Sequence, residues 1–132
     1  MKLNTEVIRK ELEHTSLIEQ KLLLTHQYLS EDEVSFLKEK AENGSPRYEF
    51  LYGLYFLLDR QDEKTASVWW EKCLKHANSE ALWKYSGIFA SLGDEYYEWS
   101  MRFLRRSAWR QHPIAKRMLK EMKKNPYQFP EA

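Results

Sequence analysis

Side chains that could carry covalent or metal chemistry are few in this sequence and widely separated. Cys73 is the only cysteine among the 132 residues, so neither an intramolecular disulfide nor a cysteine-based zinc site can form. The four histidines share no metal-ligand spacing, and they are His14, His26, His76 and His112. Glycine-rich phosphate loops, Gly-x-Ser-x-Gly and His-Glu-x-x-His are also missing from the sequence. We therefore expect no enzyme activity, no metal and no cofactor, with Cys73 as a buried packing residue.

Arginine next to tryptophan is the chemistry that the sequence does concentrate. Glu98, Arg102, Arg105 and Trp109 recur at i, i+4, i+7 and i+11, the spacing of one stripe on a helix. Nearby basic residues extend this stripe, and they are Arg106, Arg110, Lys116, Arg117 and Lys120. Arginine with tryptophan is typical of protein-binding hot spots and of nucleic-acid-binding patches. A solvated helix face is the third interpretation, and all three stay open at this point.

Charge divides unevenly along the chain. Residues 1–101 contain 12 Lys or Arg and 18 Asp or Glu, a net −6, whereas residues 102–132 contain 9 and 2, a net +7. A basic end of this kind favours an acidic protein partner. The whole chain has a net charge of only +1, far from the strongly basic balance of nucleic-acid-binding domains, so nucleic acid is the second choice.

The apolar segments of the sequence are too short for a membrane span or a secretory signal. Residues 1–6 lead into a charged amphipathic segment and not into the apolar core of a signal peptide. The three leucines at residues 22–24 cannot span a bilayer. We therefore expect a cytoplasmic protein without membrane contact, a location in keeping with a single cysteine.

Helical periodicity begins in the first third of the chain. Over residues 3–29 apolar side chains recur at roughly helical spacing, which predicts one long helix or two short ones with a break near residues 14–16. Ser30 and Glu33 have the spacing of a capping box, and a glycine follows at the distance expected of a helix end. We therefore predict a helix over residues 31–43.

A fixed period organises the sequence from residue 45 onward. The period is the separation of Gly53 from Gly87, and the same step takes Trp69 to Phe103. A period of this length is typical of stacked helix pairs, which bury their apolar faces against neighbouring pairs. Cap and turn residues predict helices at residues 46–58, 63–76, 79–92, 95–111 and 113–124. We therefore predict an all-α fold, with the first of these helices, apolar nearly all round, as the most buried.

The repeat also predicts how particular residues pack. Gly53 and Gly87 each lie in the middle of a helix, where glycine costs about 1 kcal/mol relative to alanine. Their recurrence predicts a close helix crossing at both positions. Trp69 and Trp70 point to different sides of their helix, so we expect Trp69 in the core and Trp70 either in the seam between repeats or exposed.

The residues that carry a family pattern follow one another in a fixed order, and they are Tyr52, Gly53, Phe56, Ala66, Trp69, Lys72, Cys73 and Leu74. The pattern resembles the Sel-one-like repeat, a relative of the tetratricopeptide repeat. That family's hallmark is Leu-Gly with Tyr three residues later, followed by Lys-Ala-x-x-Trp-x-x-Lys-Ala-Ala. Here Tyr and Phe stand for Leu and Tyr, Cys-Leu stands for Ala-Ala, and Thr65 interrupts the Lys-Ala pair. The resemblance covers roughly residues 45–119 and is weaker in the second copy.

The resemblance implies an α/α right-handed superhelix of about two helix-turn-helix repeats plus a capping helix and N-terminal helices. It divides the chain into an N-terminal helical segment at 1–44, the repeats with their cap helix at 45–124, and a tail at 125–132. The family's groove positions, transferred to this sequence, include Arg47, Phe50, Leu54, Lys84, Ile88 and Met118. Such an apolar concave strip could hold a partner helix or peptide. In the alternative, the N-terminal helices of the chain itself fill the strip.

The function predicted from these features is that of a non-catalytic protein–protein interaction module, such as a small adaptor, regulator or inhibitor of the immunity type. Binding is expected through the groove or through the basic face. The candidate residues of the basic face are Arg102, Arg105, Arg106, Trp109, Arg110 and Arg117. The expected partner is another protein, with an acidic one favoured. The alternative is a nucleic-acid-binding regulator that uses the basic C-terminal third.

Overall fold

Seven α-helices account for most of residues 5–124, the part of the chain that the computed structural model describes. They are α1 Thr5–Gln20, α2 Glu31–Glu42, α3 Pro46–Leu58, α4 Glu63–His76, α5 Ser79–Leu92, α6 Tyr97–Trp109 and α7 Pro113–Lys124. A π-helical turn, Lys21–Thr25, extends α1, and a 3-10 turn, Asp94–Tyr96, precedes α6. The described range holds no strand, and the predicted all-α fold is confirmed. The predicted tail at 125–132 lies outside the described residues.

Helix length and polarity also bear on the membrane question. Within residues 5–124, no helix has both the length and the apolar character needed to cross a bilayer.

Local capping explains where several helices begin. Ser30 and Glu33 form the predicted capping box at α2, with Ser30 Oγ accepting from the Glu33 N–H at 3.2 Å and Glu33 Oε1 accepting from the Ser30 N–H at 2.8 Å. Asn78 Oδ1 accepts from the Ala81 N–H at 2.8 Å and caps α5. Pro46 is the first residue of α3, as predicted, although the preceding serine makes no side-chain capping bond. These local signals fix where α2, α3 and α5 begin.

The N-terminal helix runs through residues 14–16 without a break, which selects the single-helix alternative. The Thr15 hydroxyl donates to the Glu11 carbonyl at 2.8 Å and shares a 2.9 Å hydrogen bond with the Tyr48 hydroxyl of α3. The helical path ends at His26, whose φ of 53° is left-handed. Ser16 and Glu19 have capping-box spacing, but the continuous helix leaves no free helix end there for them to cap.

The helix boundaries recur with the period of the sequence. One period separates the end of α3 from the end of α5, and the same period separates the start of α5 from the start of α7. The starts of α4 and α6 are also one period apart, because the 3-10 turn Asp94–Tyr96 occupies the stretch where the sequence predicted the start of α6. The second helix of the second pair is therefore shorter at its start than predicted.

The chain divides into two compact units, Met1–Cys73 and Leu74–Ala132, so the predicted domain boundary after residue 44 lies inside the first unit. In the first unit, ion pairs connect α1 to the helices beside it. Lys40 Nζ of α2 lies 2.9 Å from Glu11 Oε1, and an Arg47 nitrogen of α3 lies 2.6 Å from Glu19 Oε1. The N-terminal helices thus pack on α3.

The core of the first unit centres on α3, as its apolar sequence predicted. Its largest fully buried side chains include Ile18, Leu22, Leu37, Phe50, Leu51, Leu54 and Trp70. The two adjacent tryptophans are placed the other way round from the prediction. Trp70 is completely buried, whereas Trp69 is half-buried, with its ring 5.0 Å from Tyr52 and the Lys72 ammonium 4.2 Å above it.

Trp70 is buried because Gly53 leaves room for it. A β-carbon at Gly53 would lie 2.6 Å from Cδ1 of the Trp70 indole, closer than packed carbon atoms can approach. The indole Nε1 donates to the Phe50 carbonyl at 3.3 Å, so the polar edge of the ring is satisfied in the core. The close approach predicted at Gly53 is therefore confirmed.

The second unit pairs α5 with α6 and packs α7 against α6. The Ser100 hydroxyl donates to the Ser86 carbonyl at 2.9 Å, and the Ser107 hydroxyl donates to the Ser79 carbonyl at 2.7 Å. α7 contributes to a core cluster of Met101, Leu104, Ala108 and Ala115. The small hydroxyl side chains allow α5 and α6 to lie close together, since each bond reaches directly from one helix to the backbone of the other.

Candidate protein-binding surface of the second unit

An open apolar groove lies between α5, α6 and α7. Its volume is about 600 Å³, and we name it the methionine groove. Its lining consists of Trp83, Lys84, Ser86, Gly87, Ile88, Ala90, Tyr97, Ser100, Met101, Leu104, Met118 and Met122. Three of the four methionines of the chain line it. Methionine is flexible and polarisable, and it is common on surfaces that adapt to a bound partner.

Helical spacing explains why these side chains meet. Tyr97, Met101 and Leu104 lie at i, i+4 and i+7 of α6, and Met118 and Met122 lie at i and i+4 of α7. Side chains at these spacings share one face of a helix. The amphipathic faces of α6 and α7 therefore form two walls of the groove, and α5 forms the third.

His112 packs against Trp83, one of the residues that line the methionine groove. The two rings stack with centroids 5.1 Å apart. His112 is buried, its Nε2 lies 2.8 Å from a Glu80 oxygen, and its Nδ1 accepts from the Ala115 N–H at 3.2 Å. An accepting Nδ1 requires the tautomer with the proton on Nε2, which then donates to Glu80. His112 therefore positions Trp83 and the start of α7 and has no free nitrogen for a metal.

A second groove, of about 770 Å³, lies along α6 and α7, and we name it the basic groove. Its lining consists of Arg105, Ala108, Trp109, Pro113, Lys116, Arg117, Leu119, Lys120 and Lys123. Five of these residues are cations, and none of the described lining residues is acidic. Five like charges around one depression attract anionic groups, the more so at low salt.

Trp109 is an exposed tryptophan of this surface, with 67% of its area accessible. The Arg106 guanidinium lies 4.4 Å from its ring centroid, and the Arg110 guanidinium lies 6.0 Å from it. Arg110 also donates to the Lys75 carbonyl at 3.0 Å. Cation–π contacts of this kind hold the indole in place while leaving it open to solvent.

The predicted groove residues fall into two groups. Lys84, Ile88 and Met118 do come together, in the methionine groove. Phe50 and Leu54 are buried in the core of the first unit, so the expectation that they face a partner is wrong.

Arg47, the remaining groove residue, is held by its ion pair with Glu19 of α1. This part of the predicted strip is therefore occupied by the N-terminal helices, which was the alternative interpretation.

The predicted basic face also separates into groups. Arg105 and Arg117 line the basic groove together with Trp109. Arg106 and Arg110 contact the Trp109 ring. Arg102, in contrast, lies over Trp99, with its guanidinium 4.5 Å from that ring centroid. The single outward stripe is thus two clusters, one on each of two tryptophan rings.

Sequence reasoning missed several lining residues, among them Met101, Leu104 and Lys123. The signal was present in the repeat itself. Leu104 stands one period after Trp70, so the second copy has a smaller side chain where the first has an indole. No β-carbon contact lies within 4 Å at Gly87, which is exposed, and the close helix crossing predicted there is wrong for this reason.

The groups with potential for covalent or metal chemistry are placed elsewhere. Cys73 is fully buried, with its Sγ 3.4 Å from the Pro46 carbonyl. Burial raises the pKa of its thiol, and the Coulombic effect of Glu49 adds to the rise, which disfavours the nucleophilic thiolate. Within the described residues, no group of three or more His, Cys, Asp or Glu side chains is placed to hold a metal ion.

Comparison with protein-family models, with curated proteins and with solved structures finds no match to this chain. The resemblance to Sel-one-like repeats therefore rests on the residues of the sequence alone.

Proposed function

We propose that this chain is a non-catalytic protein–protein interaction module that binds an acidic, amphipathic segment of a partner protein through its second unit. The observation that carries the proposal is the methionine groove, an open apolar groove in a basic part of the chain. Burial of apolar surface in such a groove favours association by about 25 cal/mol per Å² of area removed from water, before the entropic costs of binding.

Charge supports the choice of an acidic partner. Lys84 lines the methionine groove. The basic groove places five cations on α6 and α7, two of the three helices that form the methionine groove. Their field acts over the Debye length, about 8 to 10 Å at ordinary salt. Acidic residues on a partner would therefore be drawn to this end of the chain, while its apolar residues enter the methionine groove.

The sequence-level resemblance is compatible with this function. The right-handed superhelix that it implies stays a proposal, supported by the recurrence of the helix boundaries at the period of the sequence. The cytoplasmic location likewise stays a prediction from the sequence.

Selection from a library of random displayed peptides, with the full chain as bait, tests the proposal. Recovered peptides should be net acidic, with apolar residues at helical spacing, and they should bind less to the bait variant R117E/K120E. The variant K38E/K64E is a matched control, because it changes the net charge equally at exposed lysines of the first unit. Recovery of peptides without acidic enrichment, or equal binding to both variants, would contradict the proposal.

A second candidate function is nucleic-acid binding at the basic groove. Trp109 favours it, since an exposed indole between two arginines can stack on an unpaired base while nearby cations contact phosphates. This candidate predicts that single-stranded oligonucleotides quench the fluorescence of the wild type more than that of W109F at low salt. It also predicts a steep loss of affinity as salt rises. Unchanged fluorescence of the wild type at low salt would rule it out.

A further inference from the structure

The first unit contains a filled version of a site that is open in the second. In the first unit the Trp70 indole lies directly against Gly53 and is completely buried. Its Nε1 donates to the carbonyl of Phe50, three residues before the glycine. The indole thus fills a space over the glycine, and we name this space the seat.

The second unit has a glycine at the equivalent position, and the space over it holds no indole. Leu104 follows Gly87 at the same distance along the chain as Trp70 follows Gly53, and Lys84 stands three residues before Gly87. Leucine is much smaller than tryptophan, and no atom lies within 4 Å of a β-carbon placed at Gly87. Gly87 and Leu104 both line the methionine groove, so this groove includes the position that corresponds to the Trp70 indole of the first unit.

We propose that this seat over Gly87 binds the side chain of a tryptophan carried by an acidic segment of the partner. The inference rests on the proposed function and specifies its anchor residue. Three properties of the seat favour tryptophan over an aliphatic anchor. Gly87 has no side chain to keep a ring away from the helix backbone, and the groove methionines can make sulfur–aromatic contacts with the edge of the ring. Lys84 is an exposed residue of the groove lining, and its ammonium can reach the ring face of a bound indole.

The positive charge around the groove indicates whether the bound tryptophan comes from a second copy of this chain or from a different protein. Trp109 of a second copy is exposed, but Arg106 and Arg110 accompany it. A second copy would therefore bring positive charge to a basic end, which disfavours this pairing. An acidic segment brings the opposite charge, so the anchor belongs to a different protein.

Methyl NMR of the full chain with ¹³C-labelled methionine tests the seat without any knowledge of the partner. N-acetyl-tryptophanamide should shift the methyl signals of Met101, Met118 and Met122 in a saturable way. N-acetyl-leucinamide should bind about fivefold more weakly, the ratio that a sulfur–aromatic contribution of about 1 kcal/mol gives. Equal shifts with both compounds, or none with the tryptophan compound, would overturn the proposal.

Two plugged variants supply the control. Leu104→Trp gives the second unit the residue of the first, and Gly87→Leu places a side chain in the seat from α5. Both should abolish the shifts caused by N-acetyl-tryptophanamide. Circular dichroism establishes that each variant is folded, and either folded variant suffices. Unchanged binding of the tryptophan compound to a folded plugged variant would overturn the proposal.

The same variants separate this inference from the proposed function. If tryptophanamide binds but no acidic peptide does, the proposed function fails and the seat stands. If acidic peptides bind the plugged variants as well as the wild type, the seat is not their anchor and the inference fails while acidic-segment binding stands.

Two further outcomes would assign the seat to this chain itself and overturn the inference. Methionine methyl shifts that depend on protein concentration and vanish in W109A would indicate a second copy. Shifts that change in Y127A/F129A without any added compound would indicate residues 125–132, which lie outside the described range.

Discussion

Gly53 and Gly87 show how one residue type serves two purposes at equivalent positions of a repeat. At Gly53 the missing side chain admits the Trp70 indole, whereas at Gly87 it leaves the floor of the methionine groove open. The sequence period located both glycines but not this difference. A close approach depends on what faces the glycine, and Leu104 in place of Trp70 removes the facing side chain.

Alanine at the two glycines should therefore have opposite effects on stability. Gly53→Ala would force a β-carbon against the Trp70 indole, and we expect a loss of about 1–3 kcal/mol, the usual cost of overpacking. Gly87→Ala meets no atom, and we expect a gain of up to about 1 kcal/mol from helix propensity. Urea denaturation of the two variants measures both effects. Equal destabilisation by the two substitutions would contradict the difference in packing.

The adjacent tryptophans show the limit of sequence reasoning for single residues. Neighbouring residues on a helix differ by about 100° in direction, so a small rotation of the helix decides which of them enters the core. The family pattern favoured Trp69, but the space beside Gly53 accepts Trp70. Nothing in the spacing of the two residues could have revealed that choice.

Cys73 should behave as a packing residue in solution. Burial raises the pKa of its thiol and blocks access of reagents, so we expect negligible reaction with a disulfide reagent in the folded state. One thiol per chain should react after unfolding in urea. The absorbance of the released thiolate measures the reaction. Fast reaction of the folded chain would contradict the burial of Cys73.

Helix caps are the part of the fold that the sequence predicted best. The capping box at α2 and the first residues of α3 and α5 each lie at the predicted position. These signals are local, so they can be recognised without knowing the tertiary packing. The continuity of α1 could not be predicted in this way, since its contact through Thr15 with Tyr48 is long-range.

Glu33 makes α2 sensitive to acid. Burial on its own would raise the pKa of Glu33, but hydrogen bonds from the Lys21 ammonium at 2.7 Å and from Ser30 outweigh burial and lower it. A lowered folded pKa stabilises the fold above the unfolded pKa, and this contribution is lost as pH falls through the folded pKa.

Replacing Glu33 should remove that part of the pH dependence. We expect Glu33→Ala to cost about 1–3 kcal/mol near neutral pH, because it leaves the Ser30 N–H without its acceptor and the Lys21 ammonium without its ion-pair partner. Its stability should then fall less steeply on acidification than that of the wild type. Urea denaturation over a pH series measures this, with the exposed Glu39→Ala on the same helix as control. Parallel pH profiles for wild type and E33A would contradict the assignment.

At the scale of the whole molecule, the sequence already showed that positive charge is concentrated at the C-terminal end. The structure shows which surface sites the charged side chains form. Of the nine cations counted over residues 102–132, five line the basic groove and three form the two arginine–tryptophan clusters. The sequence predicted only some of the residues that line the methionine groove. Lys84, Ile88 and Met118 were recognised through family positions, but the α6 residues that complete it depend on how three helices meet.

Binding of acidic peptides recovered by display should weaken as salt rises. Screening shortens the reach of the five cations, while apolar burial in the methionine groove is little affected. We therefore expect titration calorimetry to show a partial loss of affinity that levels off at high salt. Affinity that is independent of salt would show that the basic groove has no part in binding.

Amide chemical-shift mapping of the full chain with one recovered acidic peptide is the sharpest test of binding through the second unit. We expect the largest shifts along the walls of the methionine groove, around Gly87 on α5, Met101 on α6 and Met118 on α7. Smaller shifts should extend to the cations of the basic groove. Shifts confined to helices of the first unit, or to the basic groove alone, would contradict the proposal that the second unit binds its partner through an apolar seat.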